Sequence, residues 1–300
     1  MKKLVETVPN FSEGRDQKKI DAIVKPFQEI KDVKLLDASA DKDHNRLVVT
    51  AIGTPEAVEK AIYNSTKIAI DEIDMENHEG EHPRMGAVDV IPFTPVKNIE
   101  MEETKELANR VAQQLAKDFN LPIFMYEESA SNDKRKNLAK IRKGQYEGMK
   151  EKIKEPEWKP DHGPSEIHST AGVTAVGARM PLVAFNINLD TDNKEIADKI
   201  ARKIRHSGGG LRYCKAIGID LKDKGIAQVS MNMTNYKGTS LYQVMEMVKF
   251  EAERFGVNII GSELIGLLPS EALFNVAEYY LKLDDFGLDQ VIENRLLEDL

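Results

Sequence analysis

The chain has one cysteine, Cys214, so no intramolecular disulfide can staple it, and a reducing compartment suits it. No histidine or acid flanks Cys214, which therefore reads as a small core residue rather than a nucleophile. No stretch approaches the ~18 uninterrupted apolar residues of a membrane span. Met1-Lys2-Lys3-Leu4-Val5-Glu6 also lacks the apolar core of a signal peptide. A cytoplasmic location without membrane contact is expected. Basic residues are in deficit, 42 against 50 acidic, for a net charge of −8. That balance argues against a nucleic-acid partner, because phosphate affinity comes from clustered Lys and Arg. An anionic ligand would need positive groups concentrated locally. What remains, 41% hydrophobic and 31% charged residues, is the composition of an ordinary globular protein. Its 300 residues suit two domains or one large one.

Strand-like runs alternate with amphipathic helical patterns throughout. Val33–Asp37 and Arg46–Ile52 read as strands. Thr54 can cap the next helix, and Pro55 fits its first position. Ala57, Val58, Ala61, Ile62, Ser65, Ile68 and Ala69 recur at helical spacing. A strand at Val88–Phe93, a helix from about Glu102 to Asp118 and a strand at Leu121–Tyr126 form one unit. The second half has strands at Leu182–Leu189, Ala227–Thr234 and Val257–Gly261, with helices near Asn193–Arg205, Leu241–Phe255 and Ala272–Leu283. Its last strand–helix–strand run resembles the 88–126 unit. An internal repeat of split βαβ units, in an α+β fold, is expected. Between the halves, the polar stretch Ser131–Lys154 and the proline-rich Pro156–Ser165 read as a connector. The single tryptophan, Trp158, with His162 and His168, makes this stretch a candidate ligand wall as well.

Gly80-Glu81-His82-Pro83-Arg84-Met85-Gly86-Ala87-Val88-Asp89 is the most informative segment. An imidazole both takes and gives protons near neutrality. Pro83 biases the preceding His82 toward an extended backbone, which narrows the directions its ring can take. A general acid–base and a simple turn residue are both compatible with this pattern. His78 and His82 lie four apart, as in a helical zinc motif, but Gly80 and Pro83 disfavour a helix there. Gly208-Gly209-Gly210-Leu211-Arg212 lacks the directly following helix of a phosphate cradle and reads as a flexible turn or ligand-covering loop. In Asn10-Phe11-Ser12-Glu13-Gly14-Arg15, Ser12 can cap the next helix, or the loop can border a ligand. Asp41-Lys42-Asp43-His44-Asn45-Arg46 is either a solvated turn or the polar rim of a site.

Together these segments resemble the glutamate formimidoyltransferase (formiminotransferase) family over nearly the entire chain. The resemblance rests on Val8–Gly14, Asn45-Arg46, Gly80–Asp89, Pro160–Ser165, Gly177-Ala178-Arg179, Ala184–Leu189, Lys215–Gly218 and Gln228-Val229-Ser230. It corresponds to the transferase part alone, with no room for a cyclodeaminase domain. It implies two ferredoxin-like subdomains, 1–181 and 182–300, packed around a ligand tunnel, usually in a homodimer. It implies transfer of a formimidoyl group from N-formimidoyl-L-glutamate to N5 of tetrahydrofolate, the co-substrate, with no metal. His82 matches the catalytic histidine. Gly163, Pro164, Ser165, Glu166, Ile167, His168, Ser169, Thr170, Ala171 and Gly172 match the folate-contacting segment. The pattern departs at Ser39, where the family carries an acid; Asp37, Asp41 and Asp43 remain nearby. Both substrates bear carboxylates, so Asn10, Arg46, Arg84, Arg179, Arg212 and Lys215 are candidate substrate ligands. A formyl donor and a non-catalytic folate-binding module are the alternatives.

Overall fold

The structure, a computed structural model, describes residues 2–298. The chain divides into two compact units, Met1–Arg179 and Met180–Leu300. The first contains β1 (Leu4–Thr7), β2 (Asn10–Phe11), α1 (Gln17–Glu29), β3 (Val33–Asp41), β4 (Arg46–Gly53), α2 (Pro55–Glu72) and β5 (Val88–Lys97). It continues through α3 (Met101–Phe119), β6 (Ile123–Met125), α4 (Leu138–Arg142), α5 (Gln145–Lys152) and β7 (Thr174–Ala178). β1 lies between β4 and β5, antiparallel to both, and β3 flanks β4. The short β2 repeats those pairings further along β4 and β5. β7 and then β6 extend the sheet in parallel beyond β5.

The alternation along β4 explains the layering. Leu47, Val49 and Ala51 are buried, while Arg46, Val48 and Ile52 are only half-buried. The buried set meets Ile23 and Phe27 of α1 and Val58 and Ile62 of α2, and α3 adds Leu107, Val111 and Leu115. Burying such side chains contributes about 1.5–3 kcal/mol each, so this face anchors the unit. At the start of α2, Thr54 accepts the amide of Ala57 and Pro55 occupies the first turn. Ser12 does not cap α1. Asp16 does so, accepting the amides of Lys18 and Lys19, because the helix starts five residues beyond Ser12.

The 131–154 stretch is not a connector. Ile141, Tyr146 and Met149 are buried, and Ile141, Met149 and Ile153 pack with Met85, Val90, Phe124 and Ala175 in a further core cluster of the same unit. Four anchors, Ile141, Tyr146, Met149 and Ile153, hold this highly polar segment.

The second unit contains β8 (Val183–Leu189), α6 (Lys194–Ile204), β9 (Cys214–Leu221), β10 (Ile226–Met233), α7 (Leu241–Arg254), β11 (Ile259–Ile265), α8 (Ser270–Leu281) and α9 (Ile292–Glu298). Its antiparallel sheet runs β11-β8-β10-β9. The first unit orders β3-β4-β1-β5 in the same way: the first strand between third and fourth, the second at the edge. The counterpart of β10–α7–β11 is therefore β4–α2–β5, not the 88–126 run that the sequence spacing suggests. Strand spacing repeats along the chain; only pairing decides which repeats correspond.

Candidate active site

Three loops of the first unit meet at one end of its sheet: the chain after β2, the β3–β4 hairpin tip and the 78–89 run. Asn45 ties them together. Its side chain accepts the Gly14 amide and donates to the Glu79 carbonyl, both at 2.9 Å. The Glu81 amide adds a bond to the Asp43 carbonyl. The approach is close enough to require glycine. A Cβ on Gly14 would lie 2.2 Å from the Asp41 carbonyl oxygen, and one on Gly80 2.4 Å from that of His44. Within the tip, one Asp41 carboxylate oxygen accepts the amides of Asp43 and His44, and the other meets His44 Nδ1 at 2.9 Å.

The cleft so formed is narrow and is lined by Asn10, His44, Arg46 and His82, among others. His82 is half-buried, and its ring lies 6.2 Å from that of His44, edge to face. Burial, then the positive charges of Arg46 and Arg142, push the His82 pKa down to about 3, with Asp41 opposing. His82 is thus neutral at pH 7, with a lone pair available. Arg46 is half-buried too, and among the described residues nothing accepts a hydrogen bond from its buried Nε.

Arg142, which sequence reasoning missed, donates to Asp89, a carboxylate in a 2% exposed residue. Burial pushes the Asp89 pKa up, and Arg142 opposes that shift. A strand irregularity aims Asp89. Asn10 and Phe11 of β2 pair with Val90 and Val88, leaving Asp89 as the extra residue of β5. Such a bulge redirects a side chain, and this one sends Asp89 to α4 and to the Met85 amide at 2.8 Å. Lys152 holds the end of α4 by donating to the carbonyls of Lys140, Ile141 and Lys143. Arg142 lies 53 residues from Asp89 in a lysine-rich stretch, and no local signal marks it.

Arg84 has a different role from the one expected. Its five N–H groups go to His78 Nδ1, the His78 carbonyl, Gln145 and both oxygens of Glu147. None is left for a substrate carboxylate. Because Arg84 donates to His78 Nδ1, the other nitrogen, Nε2, carries the proton and donates to the Asn45 carbonyl. Both His78 nitrogens are occupied, so His78 and His82 do not form a zinc pair. Among the described residues no cluster of three His, Cys, Asp or Glu is disposed to hold a metal.

Asn10 donates to the Val8 carbonyl at the cleft wall. Gly163, Ser165, Glu166 and Ser169 are exposed, and Pro164, Ile167, His168 and Thr170 are half-buried. Buried Ala171 and Gly172 pin the loop's end onto Met85–Ala87, three residues from His82. His168 turns Nδ1 onto the amides of Thr170 and Ala171, within its own loop. Trp158 covers the Lys152 ammonium, 3.8 Å from its ring centroid, and His162 bonds Asn109. Arg179 follows β7 next to Tyr126 and Glu6. Arg212 belongs to the second unit, exposed beside the Tyr213 ring, and Lys215 is exposed on β9. Gly208–Gly210 is not a flexible loop: its amides bond the Arg205 and His206 carbonyls and close the end of α6. Cys214 is buried with its thiol pKa pushed up to about 12, which leaves it inert.

Residues 4–179 match the formiminotransferase domain, N-terminal subdomain, and residues 184–296 match the formiminotransferase domain. The glutamate formimidoyltransferase of Streptococcus pyogenes serotype M1 is 56% identical over 298 residues, covering 99% of this chain and 100% of that protein. The glutamate formimidoyltransferase of Thermoplasma acidophilum is 44% identical, covering 98% and 97%. The formimidoyltransferase-cyclodeaminase of Dictyostelium discoideum is 42% identical over 99% of this chain but only 56% of its own length. The His82 cleft thus lies within a sequence matched along both units, and the chain belongs to the formiminotransferase family.

Proposed function

We propose that the chain transfers the formimidoyl group of N-formimidoyl-L-glutamate to N5 of tetrahydrofolate, yielding 5-formimidoyltetrahydrofolate and L-glutamate. This is a step of histidine degradation and one-carbon metabolism. The carrying observation is His82, neutral in a narrow cleft beside Arg46, in a chain 56% identical to a glutamate formimidoyltransferase over its length. N5 attacks the formimidoyl carbon, and a tetrahedral intermediate forms. One proton must leave N5 and one must reach the departing glutamate nitrogen. His82 serves as the general acid–base. Arg46 takes a substrate carboxylate, since its buried Nε has no hydrogen-bond acceptor among the described residues. The 163–172 loop supplies folate contacts through its exposed residues, and its attachment to Met85–Ala87 supports that role.

The ferredoxin-like build of the subdomains, 1–181 and 182–300, belongs to this reading. It is supported by the shared strand order of the two sheets. The folate tunnel, the homodimer and the cytoplasmic location are carried by family membership. A formyl donor is the second reading. Two guanidinium groups near His82 suit a developing oxyanion, whereas a cationic formimidoyl group is served by Asp41 and Asp89. A tetrahydrofolate-dependent assay offering formimidoyl- and formyl-glutamate side by side tests both. Glutamate release from the formimidoyl donor is expected, and release from neither would overturn both transferase readings. His82→Ala should lower turnover by about a hundred- to ten-thousand-fold while retaining folate binding. Activity within about threefold of the unaltered enzyme, far less than a lost general base costs, would remove His82 from the mechanism.

A further inference from the structure

The proposed reaction moves a proton from one nitrogen to another, and His82 is poorly placed to carry it between the two events. As imidazolium it would stand in a partly desolvated cleft with the positive charges of Arg46 and Arg142 acting on it. A second imidazole lines the same cleft. The His44 ring centroid lies 6.2 Å from that of His82, edge to face, so both imidazoles border the same cleft, a span that one bridging water or reacting group would close. His44 has what His82 lacks: Asp41 meets its Nδ1 at 2.9 Å and fixes the ring, which leaves Nε2 as the free nitrogen. Three backbone contacts hold this residue in place. Asp41 binds the His44 amide, Gly80 lets the backbone approach the His44 carbonyl, and Glu81 donates to the adjoining Asp43 carbonyl. The last two tie the tip to the 78–89 run.

Resting on the transferase reading, we propose that His44, oriented by Asp41, is a second catalytic imidazole that relays the proton between His82 and the leaving nitrogen. The N5–C bond forms as the N5 proton passes to His82. That proton moves to His44 Nε2, directly or through one water, and the Asp41 carboxylate faces the charge. The bond from carbon to the glutamate nitrogen then breaks as His44 delivers the proton to that nitrogen. Both rings end neutral, and the proton lost by N5 is the one gained by glutamate. Asp41 is a positioning residue in this scheme, a half-exposed carboxylate that orients the base through its Nδ1.

The decisive variant is His44→Asn, whose amide can still donate to Asp41 while the Nε2 position is lost. Expected is a fall in kcat of about a hundredfold or more, with KM for tetrahydrofolate within about threefold. His44→Ala should behave alike and recover at least about tenfold when imidazole is added, because free imidazole replaces a missing proton carrier and cannot replace missing packing. Asp41→Asn should lower kcat and shift the pH profile of kcat. Turnover of His44→Asn within about threefold of the unaltered enzyme overturns the proposal. So does a fall in His44→Ala that imidazole does not restore, which assigns His44 to packing. Should either variant misfold by circular dichroism, the Asp41→Asn pH profile decides: an unchanged profile is fatal to the relay. The unaltered enzyme and His82→Ala run alongside. Inactivity of the former, or full activity of the latter, identifies a failure of the transferase reading instead.

Discussion

At the scale of single residues, the functional behaviour of His82 is set by groups far from it in sequence. A ring titrating near 6.5 in a peptide is pushed down to about 3 by burial and by Arg46 and Arg142. The folded pKa lies below the unfolded one, so the unfolded chain binds more protons between about pH 3 and 6.5, and stability falls as pH drops through that window. Removing the ring should remove part of this sensitivity. Denaturant titrations of His82→Gln at pH 7 and pH 4.5 are expected to show a smaller loss on acidification than the unaltered protein does, and an equal loss would contradict the assigned environment. Arg46 permits a separate test. A charge-assisted hydrogen bond contributes about 1.5–3 kcal/mol, so Arg46→Met should raise KM for the glutamate donor on the order of 10- to 100-fold. An unchanged KM would place the carboxylate elsewhere. Arg84→Met should behave differently, because its donors serve His78, Gln145 and Glu147. Its first effect is on stability.

At the scale of elements, the site depends on one hairpin tip, one bulge and one short helix. The hairpin is legible in sequence as two strands flanking Asp41–Arg46, and the polar tip was recognisable as a possible rim. Its attachment to Gly14 and Gly80 was not, since those glycines matter only through a backbone met after folding. Gly80→Ala should therefore displace the tip. Overpacking costs about 1–3 kcal/mol, and a thermal melt should register it together with a loss of turnover larger than the loss of stability explains. A variant with unaltered melting and turnover would mean that the contact is not held in solution. The bulge at Asp89 and the five-residue α4 are invisible to periodicity. A two-residue strand offers no alternation to read, and the polar 131–154 stretch has the composition of a loop. Family resemblance identified His82, but it gave no role to Arg142.

At the scale of the whole molecule, each unit has its own apolar cluster under its own sheet. Ile187, fully buried in β8, tests their separation. Ile187→Ala should cost about 2–5 kcal/mol, and hydrogen exchange should quicken across β8–β11 more than across β1–β7. Equal acceleration in both would show that the units unfold as one. Much of this architecture was written in the sequence: strand and helix order, the absence of a disulfide, the need for localised positive charge, and the family match through motifs spread along the chain. These follow from local periodicity, composition and residue identity, which the chain carries without folding. Strand pairing, the true correspondence between the two βαββαβ units and the absorption of 131–154 into a core required three dimensions. So did the company of His82. Electrostatic environment and burial are sums over neighbours distant in sequence, and those neighbours exist only once the sheet has brought Arg46, Arg142 and the Asp41–His44 pair to one end of it.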